Sequence, residues 1–106
     1  MDGKRVVYEV NISVDKDVST EFGDWLLTHI NDMLKLPGFL SAELFEQQST
    51  DEKKKWTTCY RLENKEAMEL YYKEHAAKMR SDALNKFTGK FQIERRELLL
   101  VNSFSK

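Results

Sequence analysis

The feature that most constrains this chain is the order of its hydrophobic patterns. Four segments alternate apolar and polar residues, as strands do, and two segments repeat apolar residues at helical spacing. They follow one another as strand, helix, strand, strand, helix, strand, which is a split β-α-β arrangement. Because two helices cover only one face of a four-stranded sheet, we expect the other face to stay open or to meet a partner.

The first strand is predicted over Val6–Val14, with one apolar and one mostly polar face. The first helix is predicted to start at Ser19, whose hydroxyl can act as an N-cap. It should stop before Pro37 and Gly38, because proline disfavours helical backbone in the residue before it and glycine allows an open turn.

Two strands joined by a polar loop are predicted in the middle of the chain. They cover Phe39–Gln48 and Trp56–Leu62, and the loop covers Ser49–Lys55. Simple alternation in the first of these strands puts two sets of residues on opposite faces. These sets are Leu40, Ala42 and Leu44 on one face, and Phe39, Ser41, Glu43 and Phe45 on the other.

The second helix is predicted to be capped by Asn64 and to reach at least Met79, with a short helical turn restarting near Ser81. Gly89 breaks the pattern, and the fourth strand is predicted over Phe91–Val101. Its last four residues, 98–101, are all apolar, which indicates burial on both faces, against another subunit. We therefore expect a homodimer.

Size and charge exclude several classes of protein. The 106 residues fit a single domain over residues 1–106, and 41% hydrophobic residues suffice for one core. With 17 basic and 18 acidic residues the net charge is −1, so we expect neither a nucleic-acid nor a membrane partner. The basic run Lys53–Lys55 fits the solvated end of a hairpin.

Compartment and targeting signals are few. Cys59 is the single cysteine, which excludes an intrachain disulfide and fits a reducing compartment. The N-terminal residues lack the apolar run of a secretion signal, and no window approaches the roughly 20 apolar residues of a membrane span. We expect a cytoplasmic protein.

The histidines, His29 and His75, are the first candidates for chemistry. Both lie on or beside the apolar face of a predicted helix, where a hydrogen-bonded core histidine is the common structural role. His75 is the better candidate for a catalytic or ligand-binding group, because it shares a helix face with Tyr71 and a histidine can exchange protons near neutral pH. Two histidines without Cys or Asp at ligand spacing predict no metal site.

The polar face of the sheet is the second candidate. Glu9, Asn11 and Arg61 would converge there and, together with Tyr71 and His75, could bind a small polar molecule. The alternative is a polar dimer interface or a solvated face. Arg61 should pair with Glu9 or with an acidic neighbour on the second strand, Glu43, because a charge that becomes buried needs a partner.

The element order resembles the dimeric α/β-barrel superfamily over nearly the whole chain. The fold class is then α+β, ferredoxin-like βαββαβ, with a four-stranded antiparallel sheet and two helices on one face. More narrowly, the chain resembles an uncharacterised bacterial family of this fold. The segments that carry the resemblance are VVYEVNISV, the Trp25…His29 helix, LPGFLSAELFE, the Tyr60-Arg61 strand, the YYKEHAAKMR helix and Phe87–Arg95.

This resemblance implies two sheets packed face to face across a two-fold axis, with a cleft in each subunit. Relatives of the fold include cofactor-independent monooxygenases, haem-degrading enzymes, isomerases and stress-response proteins, so the fold does not choose a function. Asn11, Trp56 and His75 match three residue types of the haem-degrading members. Because Trp56 comes too early relative to His75, we expect no haem, and no other cofactor is predicted.

Three functions remain open from the sequence. The first is a homodimer that binds a small organic molecule in a cleft between sheet and helices. The second is a cofactor-independent enzyme, a monooxygenase or isomerase, that uses His75 with Tyr71, Arg61 or Glu9. The third is a structural or regulatory dimer with a filled interior. The sequence does not decide whether the protein is an enzyme.

Overall fold

The computed structural model describes residues 4–48 and 52–106, and in them the predicted order of elements is confirmed. Residues 49–51 of the predicted loop Ser49–Lys55 lie outside the described residues. The elements are β1 (Val6–Asp15), a 3₁₀ turn (Lys16–Val18), α1 (Ser19–Met33), β2 (Phe39–Glu46), β3 (Lys53–Leu62), α2 (Lys65–Glu74), α3 (Ala76–Lys86) and β4 (Phe91–Leu99).

The four strands form one antiparallel sheet in the order β2-β3-β1-β4, with helices packed against one face, which is the ferredoxin-like fold. β1 alternates strictly between buried and half-buried residues. Its buried side chains, from Val6 to Val14, face the helices, and the buried residues of β3 join them in one core with Phe22, Leu26 and Met68. We call the other side of the sheet the open face.

The predicted face of Phe39 is wrong. The pairing of β2 with β3 places Phe39 opposite Leu62 and Ser41 opposite Arg61, so a β-bulge at Leu40 shifts the alternation by one residue. Phe39 therefore enters the core, where it is 8% exposed and packs edge-on against Tyr60. Beyond the bulge the predicted faces are confirmed, because Glu43 and Phe45 pair with residues of the open face.

Local contacts confirm one predicted helix cap and correct the other. The side chain of Asn64 accepts a hydrogen bond of 2.9 Å from the amide of Ala67, as an N-cap should. Ser19 is instead the first residue of α1, and its hydroxyl donates to the carbonyl of Lys16. The 3₁₀ turn before α1 leads straight into the helix, so the N-cap position belongs to Val18, which makes no side-chain cap.

The chain reverses direction before β2 at Gly38, as predicted from the Pro-Gly pair. Its φ of 83° is the left-handed conformation that glycine adopts without strain. A Cβ there would lie only 2.3 Å from the Cβ of Ala67, so the close approach to α2 also requires glycine.

The second helix does not run continuously through Met79 as predicted. It ends at Glu74, and a separate helix α3 begins at Ala76, because His75 adopts φ −128° and ψ −26° and leaves the helical conformation. Hydrogen bonds continue on both sides, from the amide of His75 to the carbonyl of Tyr71 and from the amide of Met79 to the carbonyl of His75. The break resets which residues of α3 face the sheet.

Two strand boundaries also differ from the prediction. β3 begins at Lys53, so the basic run Lys53–Lys55 lies in the strand and not in the loop. β4 ends at Leu99. The apolar run 98–101 extends past the end of β4 and is exposed in the single subunit, from 40% at Leu98 to 79% at Val101.

Candidate functional site

A cavity of about 470 Å³ lies between the sheet and the helices. We call it the helix–sheet cavity. Residues of β1, β3 and β4 form its floor, and residues of all three helices form its walls. Its volume is within the range of pockets that enclose small organic ligands. The five aromatic side chains that line it are Tyr8, Trp25, Tyr60, Tyr71 and Phe91.

Three tyrosines form an aromatic cluster at one part of the cavity. The ring of Tyr8 stacks on Tyr60 at a centroid distance of 5.9 Å and meets Tyr71 at 5.6 Å. Burial raises the pKa of Tyr71 to about 12, and it also raises the pKa of Tyr60. Both hydroxyls are therefore protonated near neutral pH and can donate as well as accept hydrogen bonds.

Arg80 brings a cation to this cluster from α3. Its Nη2 donates a hydrogen bond of 2.9 Å to the hydroxyl of Tyr8, and it also interacts with the hydroxyl of Tyr71. Burial by itself would lower the pKa of Arg80, but these tyrosine contacts outweigh that effect and the pKa is raised. Arg80 is therefore a charged group held in place beside the cavity.

Two buried polar atoms of the cavity-lining residues have no partner within residues 4–48 and 52–106. These atoms are Thr58 Oγ1 and Arg80 Nε. Thr58 lies in the middle of β3 with no measurable exposure. Buried polar groups in folded proteins are nearly always hydrogen-bonded, so each unpaired one calls for an explanation. A polar group on a bound molecule would supply the missing partner.

His29 lines the same cavity from α1. Its ring stacks on Trp25 at a centroid distance of 4.6 Å, and the indole Nε1 of Trp25 donates a hydrogen bond of 2.9 Å to Asp82. Burial lowers the pKa of His29 to about 4. The imidazole is therefore neutral near pH 7 and can accept a hydrogen bond, but so low a pKa makes it a weak base in the ligand-free protein.

The open face carries a different, polar set of contacts. Arg61 Nη1 contacts Glu43 at 2.5 Å, which confirms the predicted pairing with one of its two expected partners. Glu9 pairs instead with Arg96 of β4 at 2.8 Å, and its carboxylate accepts a hydrogen bond from Asn11. The hydrogen bonds from Arg96 and Asn11 lower the pKa of Glu9.

A protein-family model matches residues 5–101, which is most of this chain. It describes a domain of unknown function, DUF4286. The chain belongs to the DUF4286 family. No curated protein matches the sequence.

Solved structures similar to this DUF4286 chain share its fold at low sequence identity. A dimeric ferredoxin-like protein from an uncultured marine organism is 13% identical, with TM-score 0.74, over 95% of this chain and 99% of that one. The cofactor-independent oxygenase SnoaB from Streptomyces nogalater is 13% identical, with TM-score 0.73, over 97% and 99%. A heme-degrading protein from Mycobacterium tuberculosis is 17% identical, with TM-score 0.67, over 99% and 100%.

In the DUF4286 chain, the site residues predicted from the sequence lie in different parts of the fold. Tyr71 lines the helix–sheet cavity, whereas Glu9, Asn11 and Arg61 belong to the open face. Asn11 also borders a polar depression of about 310 Å³ at that face. His75 is half-buried at the junction of α2 and α3 and is not among the described residues that line the cavity. Ligand binding by the residues outside the cavity stays a prediction.

The residues compared with haem-degrading proteins are not brought together. Asn11 lies on the open face, and Trp56 is buried on the helix face of the same sheet. Across the two described ranges, no three His, Cys, Asp or Glu side chains are grouped as metal ligands would be. Nor is any helix within those ranges long and apolar enough to span a membrane.

Sequence reasoning named Tyr71 and considered His29, but it did not identify Thr58, Arg80 or Arg95 as cavity residues. Arg80 sits on a helix whose phase is set by the break at His75. The sequence did contain a signal for Thr58, because alternation places this polar residue on the core face of β3 between Trp56 and Tyr60. A hydroxyl in such a position is often either paired or functional.

Proposed function

We propose that this DUF4286 protein is a homodimer that binds a small, largely apolar organic molecule in the helix–sheet cavity of each subunit. The observation that carries the proposal is the cavity itself, which combines aromatic walls with two unpaired buried polar atoms. Ligand pockets typically have this composition, a mostly apolar lining with a few polar groups that fix orientation. The cavity supports this proposal over the alternative of a structural dimer with a filled interior.

The open face and the end of β4 support the homodimer. The exposed apolar side chains there include Phe45 at 50% and Leu99 at 52%. At the end of β4 the exposed apolar residues follow one another along the chain, and exposed apolar surface of this kind is found at protein interfaces. A structural neighbour with the same fold is described as dimeric. We expect the segment 98–101 to contribute to the contact, and light scattering that shows a monomer at micromolar concentration would contradict it.

A cofactor-independent enzyme is the second candidate, favoured by a neutral His29 inside the cavity. An unprotonated imidazole can accept a proton from a bound substrate, as monooxygenase or isomerase chemistry requires, and a substrate that raises the pKa of His29 toward neutral would strengthen it as a base. SnoaB, with the same fold, is a cofactor-independent oxygenase. Turnover of an identified ligand, and its loss in His29→Gln with binding retained, would separate this candidate from simple binding.

The cavity proposal is tested by screening the purified protein against a metabolite library by affinity mass spectrometry, without assuming a substrate class. Ala83→Phe places a ring in the cavity, because Ala83 lines it and is 3% exposed. The matched control is Ala77→Phe, an exposed position of the same helix. We expect ligands of the native protein to be lost in Ala83→Phe and retained in Ala77→Phe. Ligands retained by a folded Ala83→Phe variant would show that they bind elsewhere.

We also propose a cytoplasmic location. The single cysteine, Cys59, supports it, since proteins of oxidising compartments often carry paired cysteines. Cell fractionation with an antibody against the native protein tests this directly.

A further inference from the structure

The charges around the helix–sheet cavity are of one sign. Among the described residues that line it, Arg80 and Arg95 are the only ones with a charge near neutral pH, because His29 is neutral and no Asp or Glu is present. Arg95 reaches this side of the sheet because it pairs with Val10, a core-facing residue of β1. The residues that line the cavity thus include two guanidinium groups and no carboxylate, and Glu97, on the same face of β4, accepts a hydrogen bond from the hydroxyl of Tyr72.

The contrast with the open face makes this arrangement informative. There, Arg61 pairs with Glu43 and Arg96 pairs with Glu9, so each cation has its own carboxylate. In the part of the chain that the structure describes, neither Arg80 nor Arg95 forms a salt bridge. Arg80 is half-buried and Arg95 is exposed, so both cations are available to pair with a carboxylate on a bound molecule.

Arg80 keeps one N–H donor without a partner among the described residues. Nη2 is engaged by the hydroxyl of Tyr8, but Nε is buried and without a partner. Guanidinium groups prefer planar, two-oxygen acceptors such as carboxylates, because their N–H donors form a rigid fork. The neighbouring aromatic rings of Tyr8, Trp25 and Phe91 would pack against a flat apolar body.

We infer that the helix–sheet cavity selects an aromatic carboxylate, with its ring between the aromatic walls and its carboxylate toward Arg80 and Arg95. This inference rests on the proposed function and adds the chemical class of the ligand. The two arginines are binding residues in this view, and the unpaired Nε of Arg80 is the donor that the carboxylate completes.

The test compares acids with their neutral amides, which have nearly the same shape. Benzoate, 1-naphthoate and 2-naphthoate, each beside its primary amide, are titrated into the native protein at pH 7 by calorimetry. Trp25 fluorescence gives a second readout, since its ring lines the cavity. We expect at least one acid to bind about tenfold or more tightly than its amide, the size expected for hydrogen bonds between charged groups.

Two variants assign the preference to the arginines. Arg80→Gln and Arg95→Gln should each reduce acid binding about tenfold while leaving amide binding nearly unchanged. Arg5→Gln removes the same charge at an exposed position outside the cavity and should bind like the native protein. If Arg80→Gln does not fold, Arg95→Gln and the acid–amide comparison in the native protein still test whether the cavity selects a carboxylate. Arg95 is exposed, so its replacement leaves the core intact.

The outcomes separate the two proposals. Equal binding of acids and amides would overturn the carboxylate inference and leave the cavity proposal standing. Binding of neither class up to millimolar concentration would overturn the carboxylate inference, and the metabolite screen with Ala83→Phe decides independently whether the cavity binds another molecule. A preference for acids that survives in both arginine variants would also refute the inference.

Discussion

Two neighbouring threonines of β3 should respond in opposite directions to the same substitution. Thr58 is buried against the helices, and its hydroxyl has no partner among the described residues. Thr57 faces the other way, and its hydroxyl donates a 2.6 Å hydrogen bond to Asn11 and accepts one of 3.0 Å from Gln47. Replacement by valine removes the hydroxyl from each and keeps the branched shape.

The magnitudes follow from the fate of each hydroxyl. Burying a hydroxyl without a partner costs about 1–3 kcal/mol, so Thr58→Val should raise the free energy of unfolding by roughly 1 kcal/mol or more. Thr57→Val should lower it by about 1–2 kcal/mol, since two hydrogen bonds worth roughly 0.5–1.5 kcal/mol each are lost. For a chain of this size 1 kcal/mol corresponds to a shift of about 4 °C in Tm.

The assay is urea denaturation of the ligand-free protein, at one protomer concentration for all variants, because the stability of a dimer depends on concentration. A Thr58→Val variant that is less stable than the native protein by 1 kcal/mol would refute the reasoning. It would mean that the hydroxyl has a partner in the ligand-free fold, and the argument that a ligand supplies one would fall with it.

Three further predictions concern charged and titrating groups. Because the pKa of His29 falls to about 4 in the folded protein from its ordinary 6.5, stability should be full above pH 6.5 and fall as the pH drops toward 4. His29→Gln should flatten this pH dependence. The free energy of unfolding, measured by urea denaturation at each pH, should change by at most about 3 kcal/mol because of His29. An unchanged pH dependence in the variant would contradict the lowered pKa. Arg61→Glu should lower the free energy of unfolding of the isolated subunit by no more than about 1 kcal/mol, since the Arg61 and Glu43 side chains are 47% and 54% exposed. In the dimer the loss should be larger if the open face is buried there. An unchanged melting temperature in the dimer would show that this face is solvated. His75→Gln should stay folded and dimeric, and it should bind an identified ligand less tightly if His75 contributes; binding equal to that of the native protein would make its role structural.

Local pattern predicted the strands well because alternation reports directly which face is buried. Every core-facing residue of β1 could be read from the sequence, and sharing a face narrowed the partner of Arg61 to Glu9 or Glu43, of which the structure has Glu43. The partner of Glu9 could not be predicted in the same way. Arg96 lies opposite Glu9 only through the register of β1 with β4, which are separated by most of the chain. Such a register depends on packing of the whole sheet.

The same limit explains why the sequence favoured His75 over His29. Helical spacing from Tyr71 predicted that His75 points toward the sheet, but α2 ends one residue before it, at Glu74, and His75 is not among the described residues that line the cavity. His29 follows Trp25 by four residues within the unbroken helix α1, and there the same rule holds, as their stacked rings show. The break at His75 also starts the helix that presents Arg80 to Tyr8. The position of Arg80 beside the cavity thus depends on where α3 begins, which no spacing rule within a single helix could have predicted.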